Sequence, residues 1–180
     1  MLVWKLAFLA LLATGVARAQ TLQIDSTLPQ IKGKTLDDQE IALPEISAGK
    51  VTLLIFTFSK AAGEHGRVWN DHFIKDYPQD DQTTSYAIAV LGDVPSLFRG
   101  MVRSAIKRSV PPALRRRFIT LVKDEGQWKQ YVGLRDDKEV YIVLLDGKGR
   151  VQWVQHGLFD QAVFDMLKTK ITELLRAKQN

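Results

Sequence analysis

Cysteine occurs nowhere in the 180-residue chain. That excludes disulfide bonds, thiolate zinc sites, thioether attachment of haem and any cysteine nucleophile. Long apolar runs are scarce as well. No stretch approaches the ~20 apolar residues that a membrane-spanning helix needs. There is no internal repeat, low-complexity tract or interdomain linker, so the length suits one domain plus a targeting segment. Acidic residues are missing from one long segment, 94–123.

What is present begins with that targeting segment. Lys5 supplies a positive start, and Leu6 to Val16 is apolar except at Thr14 and Gly15. Ala17-Arg18-Ala19 then has the small-x-small pattern of a signal-peptidase site. Residues 1–19 therefore read as a cleaved secretory signal, with the mature domain spanning 20–180; an uncleaved anchor is the alternative. The expected location is the periplasm of a Gram-negative bacterium. Disulfides are available in such a compartment, yet this chain has no residue to form one. At 46% hydrophobic and 25% charged, it can build a core without them.

The net charge is +5, but it is segregated. Arg99, Arg103, Lys107, Arg108, Arg115, Arg116, Arg117 and Lys123 fall within the acid-free segment, and the rest of the mature chain is net negative. A segregated basic patch says more about partners than a small net charge does. The choice is between a solvated helix face and a docking surface for an acidic partner or anionic membrane lipid. Nucleic acid is not expected, because export and the lack of base-stacking motifs both argue against it.

Leu22 to Ile31 and Gln39 to Leu43 read as a strand pair with Lys32-Gly33-Lys34 and Asp37-Asp38 as turn residues. Val51 to Phe58 is a continuous apolar, β-branched and aromatic run, the pattern of a strand buried on both faces. Ala61 to Tyr77 has helical spacing, with Ala62, Gly66, Trp69, Phe73 and Tyr77 on one stripe, and Pro78 ends it. Tyr86 to Leu91 is a second buried strand. Ser96 to Arg108 is an amphipathic helix whose basic residues lie off its apolar stripe, and Pro111-Pro112 breaks it. Phe118 to Val122 follows as a strand and Trp128 to Val132 as a helical turn. Val140 to Leu145 and Arg150 to Gln155 form a hairpin through Asp146-Gly147-Lys148-Gly149. Asp160 caps a last helix with Val163, Leu167, Ile171, Leu174 and Leu175 on one face. Strands alternating with helices predict an α/β protein, a three-layer α/β/α sandwich with an N-terminal β-hairpin.

The segments Leu28-Pro29-Gln30-Ile31, Gln39 to Leu43, Gly49-Lys50 leading into Val51 to Phe56, and Tyr141 through Asp146-Gly147-Lys148-Gly149 to Val151 resemble the thioredoxin-like redoxins over the whole mature chain. The resemblance implies a reactive Cys just after the first central strand, where a helix N-terminus lowers its pKa. Here those positions fall near Lys60 and Gly63. It also implies a cis-proline before the late strand, and that position falls near Val140. Both halves of the redox site are missing. A narrower likeness runs through Phe58-Ser59-Lys60, Trp69 to Phe73, Val140 to Asp146, and Gly149-Arg150-Val151-Gln152-Trp153 with Gly157 following. It is similar to the cysteine-less ATP synthase Fo-sector assembly factor family and its bacterial relatives. Gln152 stands where that family usually has Arg, and an export signal replaces a mitochondrial presequence.

Other chemistry has thin support. His65 and His72 share a helix face with Glu64 and Asp71 beside them, but His-x-x-x-His spacing is absent and His156 would have to join from the late hairpin. No metal or cofactor is expected. Lys60 is a Schiff-base candidate only if desolvated. Ser59 could attack only with a base such as His65, and no Gly-x-Ser-x-Gly elbow is present. Trp69, Trp128 and Trp153 read as core or rim. Tyr141, near the vacated site, could line a small groove with Phe58 and Trp69. The binding candidates are therefore Phe58, Ser59, Lys60, Trp69 and Tyr141. The expected function is a non-catalytic, redox-inactive binding or assembly factor for an envelope or membrane protein; the alternative is a divergent redoxin-family enzyme with a non-thiol mechanism.

Overall fold

The computed structural model describes residues 21–179. The signal expected over residues 1–19 lies outside the described residues. The elements run β1 (Ile31–Thr35), β2 (Glu40–Leu43), β3 (Val51–Thr57), α1 (Lys60–Asp76), β4 (Thr83–Val90), α2 (Ser96–Ser109), β5 (Phe118–Leu121), α3 (Glu125–Val132), β6 (Val140–Leu145), β7 (Val151–Gly157) and α4 (Gln161–Gln179). Short 3-10 turns occupy Glu45–Ser47 and Pro112–Arg117.

One seven-stranded sheet has the order β2-β1-β5-β4-β3-β6-β7. β3, β4 and β5 run parallel, while β6 lies antiparallel to β3 and β7 antiparallel to β6. Every residue of β3 and β6 is buried, as apolar and β-branched runs require of strands covered on both faces. On one face α1 and α4 bury Trp69, Phe73, Phe164, Leu167 and Ile171 against Leu53, Ile55, Ile142 and Leu144. On the other, Trp128 and Val132 of α3 join Leu22 and Leu28 over Leu54, Phe56, Ile88 and Val143. These are the three layers of an α/β/α sandwich. Gly66 lets α1 approach the sheet: a Cβ there would lie 3.0 Å from Thr57 Cγ2 and 3.2 Å from Ile55 Cγ2.

The hairpin is present but shifted. Leu22 to Gln30 does not form a ladder strand. It crosses the α3 face as a strap held by Leu22 N–H to the Tyr131 carbonyl (2.8 Å) and Leu28 N–H to the Gly149 carbonyl (3.0 Å). Its apolar pattern records burial, which loop residues also achieve. Lys32-Gly33-Lys34 is strand rather than turn. Gly33 is there because β1 crosses close over β5: a Cβ would fall 2.5 Å from Ile119 Cγ2. The turn lies at 36–39, where Asp38 takes a left-handed conformation (φ 64°), which aspartate tolerates better than most residues.

The larger departure is α2. A helix with an apolar stripe is expected to bury it, yet no residue of α2 is buried. Leu97 is 84% exposed, Met101 64% and Phe98 48%. The side that faces the body carries Arg99, Arg103 and Lys107 beside the half-buried Val102 and Ile106. Arg103 donates to the Thr35 carbonyl and pairs with Asp38 at 3.0 Å, and Lys107 reaches the same carboxylate at 3.9 Å.

Candidate functional site

β3 and β4 run parallel with Thr57 opposite Ala89, so Phe58, Ser59 and the loop after β4 meet at one edge of the sheet. Open α/β sheets place ligand sites at such carboxyl ends. Ser59 has extended backbone and caps α1: its Oγ accepts the Ala62 N–H at 3.1 Å, and its carbonyl accepts the Gly63 N–H at 3.0 Å. The Ser59 oxygen is thus committed to the cap, and among the described residues it makes no hydrogen bond to His65. Lys60 opens the helix and is exposed, its cation opposed by the helix dipole. Gly63, one turn on, is exposed with nothing within 4 Å of where a Cβ would sit.

Facing this edge is the start of β6. Phe56 pairs with Tyr141, and Tyr141 with His156, across β3, β6 and β7. Phe58, two residues on, meets the Tyr141 ring edge-on at 5.9 Å. The Tyr141 ring is 1% exposed. Its hydroxyl accepts the N–H groups of Arg135 (2.7 Å) and Asp136 (3.1 Å) and donates to the Asp136 carbonyl (3.1 Å). Tyr141 is therefore a brace for the loop entering β6. His156 stacks on it at 5.7 Å and pairs through Nδ1 with Glu139 at 2.7 Å. The peptide before Val140 is trans; among the described residues the cis bond is Leu43-Pro44.

Phe58, Ser59, Lys60 and Tyr141 thus come to one edge, but Trp69 does not join them. It lies 1% exposed in the opposite layer, edge-on to Phe159 (5.2 Å) and Phe164 (6.1 Å). The groove expected between Phe58, Trp69 and Tyr141 is divided by the sheet itself. The histidines are separated in the same way, since His72 stacks on Phe159 at 4.1 Å and His156 packs on Tyr141. Trp128 stacks on Phe56 at 5.3 Å, and Trp153 is half-buried in the other layer.

A polar cluster lies at the same edge of the sheet. The loop after β4 is tied to α3 by Lys129, which bridges Asp93 at 2.5 Å and Glu125 at 2.7 Å. The Lys129 hydrogen bond holds the Asp93 carboxyl below its ordinary range. Reciprocally, the bonds to Asp93 and then Glu125 raise the Lys129 ammonium.

Only part of the basic run is open to solvent. Arg99 is turned back onto the Val94 (2.8 Å) and Gly92 (2.9 Å) carbonyls, Arg115 onto Val110 (3.1 Å) and Arg117 onto Gln79 (3.2 Å). Arg103 and Lys107 are held by Asp38. Arg108, Arg116 and Lys123 are exposed and make no hydrogen bond or ion pair among the described residues. Lys123 joins Lys32, Lys34, Arg103 and Glu40 around a hollow that Ile41 and Val122 also line. Lys32 and Lys34 escaped sequence reasoning because they read as turn residues.

No protein-family model matches the chain, and no curated protein sequence matches it. Solved structures do. The thioredoxin domain of a thiol-disulfide oxidoreductase from Bacteroides vulgatus aligns over 84% of this chain and 99% of its own, at 19% identity and TM-score 0.59. A thiol:disulfide interchange protein from Bacteroides sp. aligns over 85% and 93%, at 19% identity and TM-score 0.56. BsSco, a member of the Sco family of cytochrome c oxidase assembly proteins, aligns over 84% and 97%, at 11% identity and TM-score 0.56. At these identities the likeness shows the fold, which is thioredoxin-like.

Proposed function

We propose that this thioredoxin-like chain is a redox-inactive binding or assembly factor that holds another envelope or membrane protein. The carrying observation is the edge formed by the end of β3 and the start of α1. Ser59 caps the helix there, Lys60 and Gly63 stand exposed, and the chain has no cysteine. A fold shared with oxidoreductases does not carry their activity when the reacting groups are gone. No nucleophile, base and oxyanion set converges here either, since the Ser59 oxygen is spent on the cap and the Tyr141 hydroxyl on a loop. The exposed part of the edge is a contact surface. The export signal expected over residues 1–19 supports a partner in the envelope. The likeness to the Fo-sector assembly factors makes a membrane subunit of an ATP synthase the finer candidate.

Site-specific photocrosslinkers at Lys60 and Gly63 in intact cells test the binding role. A discrete adduct with one envelope protein, lost when the probe moves to Lys170 on α4, is the expected result. A uniform smear from all three positions would overturn it. Insulin reduction and peroxide consumption are expected at buffer level, and turnover by contaminant-free protein would contradict redox inactivity.

A further inference from the structure

α2 buries only part of its apolar surface: Val102 and Ile106 are half-buried on the body side, and the rest faces out. Taking about 100° per residue, Leu97, Met101, Ala105 and Phe98 fall within an arc of about 100°, and all four are exposed. Arg108 lies in the same arc, about two turns past Met101, and is exposed too. On the other side, Arg99 is held by backbone carbonyls, and Arg103 and Lys107 by Asp38. Those three positions recur every four residues, so their polar anchors fix the rotation of the helix and point the apolar arc away from the protein. A monomer that needed only a surface helix would gain stability by turning these side chains inward.

We propose that α2 is a docking helix for an anionic lipid surface, with Leu97, Phe98 and Met101 entering the acyl boundary and Arg108 and Arg116 meeting headgroup phosphates. Three observations select lipid. The arc offers three large apolar side chains on one short helix, far less than the ~800 Å² per partner of a standard protein interface. An interfacial helix needs no such area or shape match, only apolar burial joined to attraction for anionic headgroups. Second, the segment 94–123 contains no acid, so two copies meeting through it would bring like charges together. Third, Arg108 lies within the arc itself and Arg116 follows α2 in the chain, and both are exposed and make no ion pair among the described residues, so they are free to meet headgroup phosphates. The proposal stands independently of the assembly role, which rests on the end of β3.

Because the chain has no cysteine, one label can be placed cleanly. The exported protein is prepared as Met101→Cys and, separately, as Glu173→Cys on α4, each carrying an environment-sensitive fluorophore. With vesicles of 30% phosphatidylglycerol in phosphatidylcholine, the label at position 101 is expected to shift to the blue and to be quenched by acyl-chain spin labels. The label at position 173 should do neither. Pure phosphatidylcholine should give no shift. Arg108→Glu with Arg116→Glu should weaken binding about tenfold or more, given the contribution of each cation near an anionic surface. Leu97→Ser, Phe98→Ser and Met101→Ser combined should abolish insertion with unchanged thermal unfolding, because none of the three is buried. Equal quenching at both positions would show anchoring elsewhere and overturn the proposal. So would a label at 101 that stays in water on anionic vesicles. A lipid-free shift that grows with protein concentration would identify a second copy as the occupant and overturn it likewise.

Discussion

Ser59 and Trp69 sit on the same helix and do opposite work. Ser59 satisfies one N–H at an open helix end, while Trp69 fills the middle of the α1–α4 layer. Replacing an N-cap serine by alanine costs typically about 1 kcal/mol, whereas truncating a buried tryptophan costs about 3–5 kcal/mol. Urea denaturation is therefore expected to show a small midpoint loss for Ser59→Ala and a large one for Trp69→Ala. The crosslinks from Lys60 should survive Trp69→Ala if the protein stays folded, because Lys60 is exposed at the first turn of α1, more than two helical turns from the buried Trp69. Comparable losses in the two variants would contradict the division of roles. Both residues could be singled out in the sequence. That Trp69 and Tyr141 serve different faces could not, since a helical stripe shows which residues turn inward and not what lies across the sheet.

Among the elements, α3 depends on a polar clamp. Asp93 is a carboxylate whose folded pKa lies below its ordinary 3.8. Its contribution is thus present above that value and lost as pH falls through the lower, folded one. Lys129 is shifted upward from 10.5, so its share is present below 10.5 and lost as pH rises through the folded value. Asp93 is largely exposed, which keeps the gain at or below about 1 kcal/mol. Thermal melts should find Asp93→Asn slightly less stable than wild type at neutral pH, with the gap closing below pH 3.8. A gap that persists in acid would mean that the clamp is not ionic. The clamp joins residues 32 to 36 positions apart, beyond the reach of any local pattern. By contrast, the strands β3, β4 and β6 and the helices α1 and α4 were legible, because buried strands and one-sided helices leave strong local signatures.

For the molecule as a whole, α4 closes the layer that holds Trp69 and Phe73. Ending the chain before Asp160 would strip Phe164, Leu167 and Ile171 from the sheet. The remainder is expected to keep far-UV but lose near-UV circular dichroism and to bind ANS, as compact states without fixed packing do. A truncated chain that melts cooperatively like the intact one would show that α4 is peripheral.

The amino-acid sequence alone determined that no thiol chemistry is available, that strands and helices alternate, and that positive charge gathers between residues 94 and 123. These follow from composition and from periods of two and 3.6 residues, which any local stretch carries. The tertiary structure alone decided that Lys32-Gly33-Lys34 is strand, that Trp69 and Tyr141 lie in different layers, and that α2 turns Arg99 and Arg103 inward. Each of those depends on a partner distant in the chain: Ile119 beneath Gly33, the sheet between the two rings, and Asp38 and the Thr35 carbonyl against α2. A helical period marks where an apolar side exists. Only the contacts made by the other side settle whether that face meets the core or the solvent.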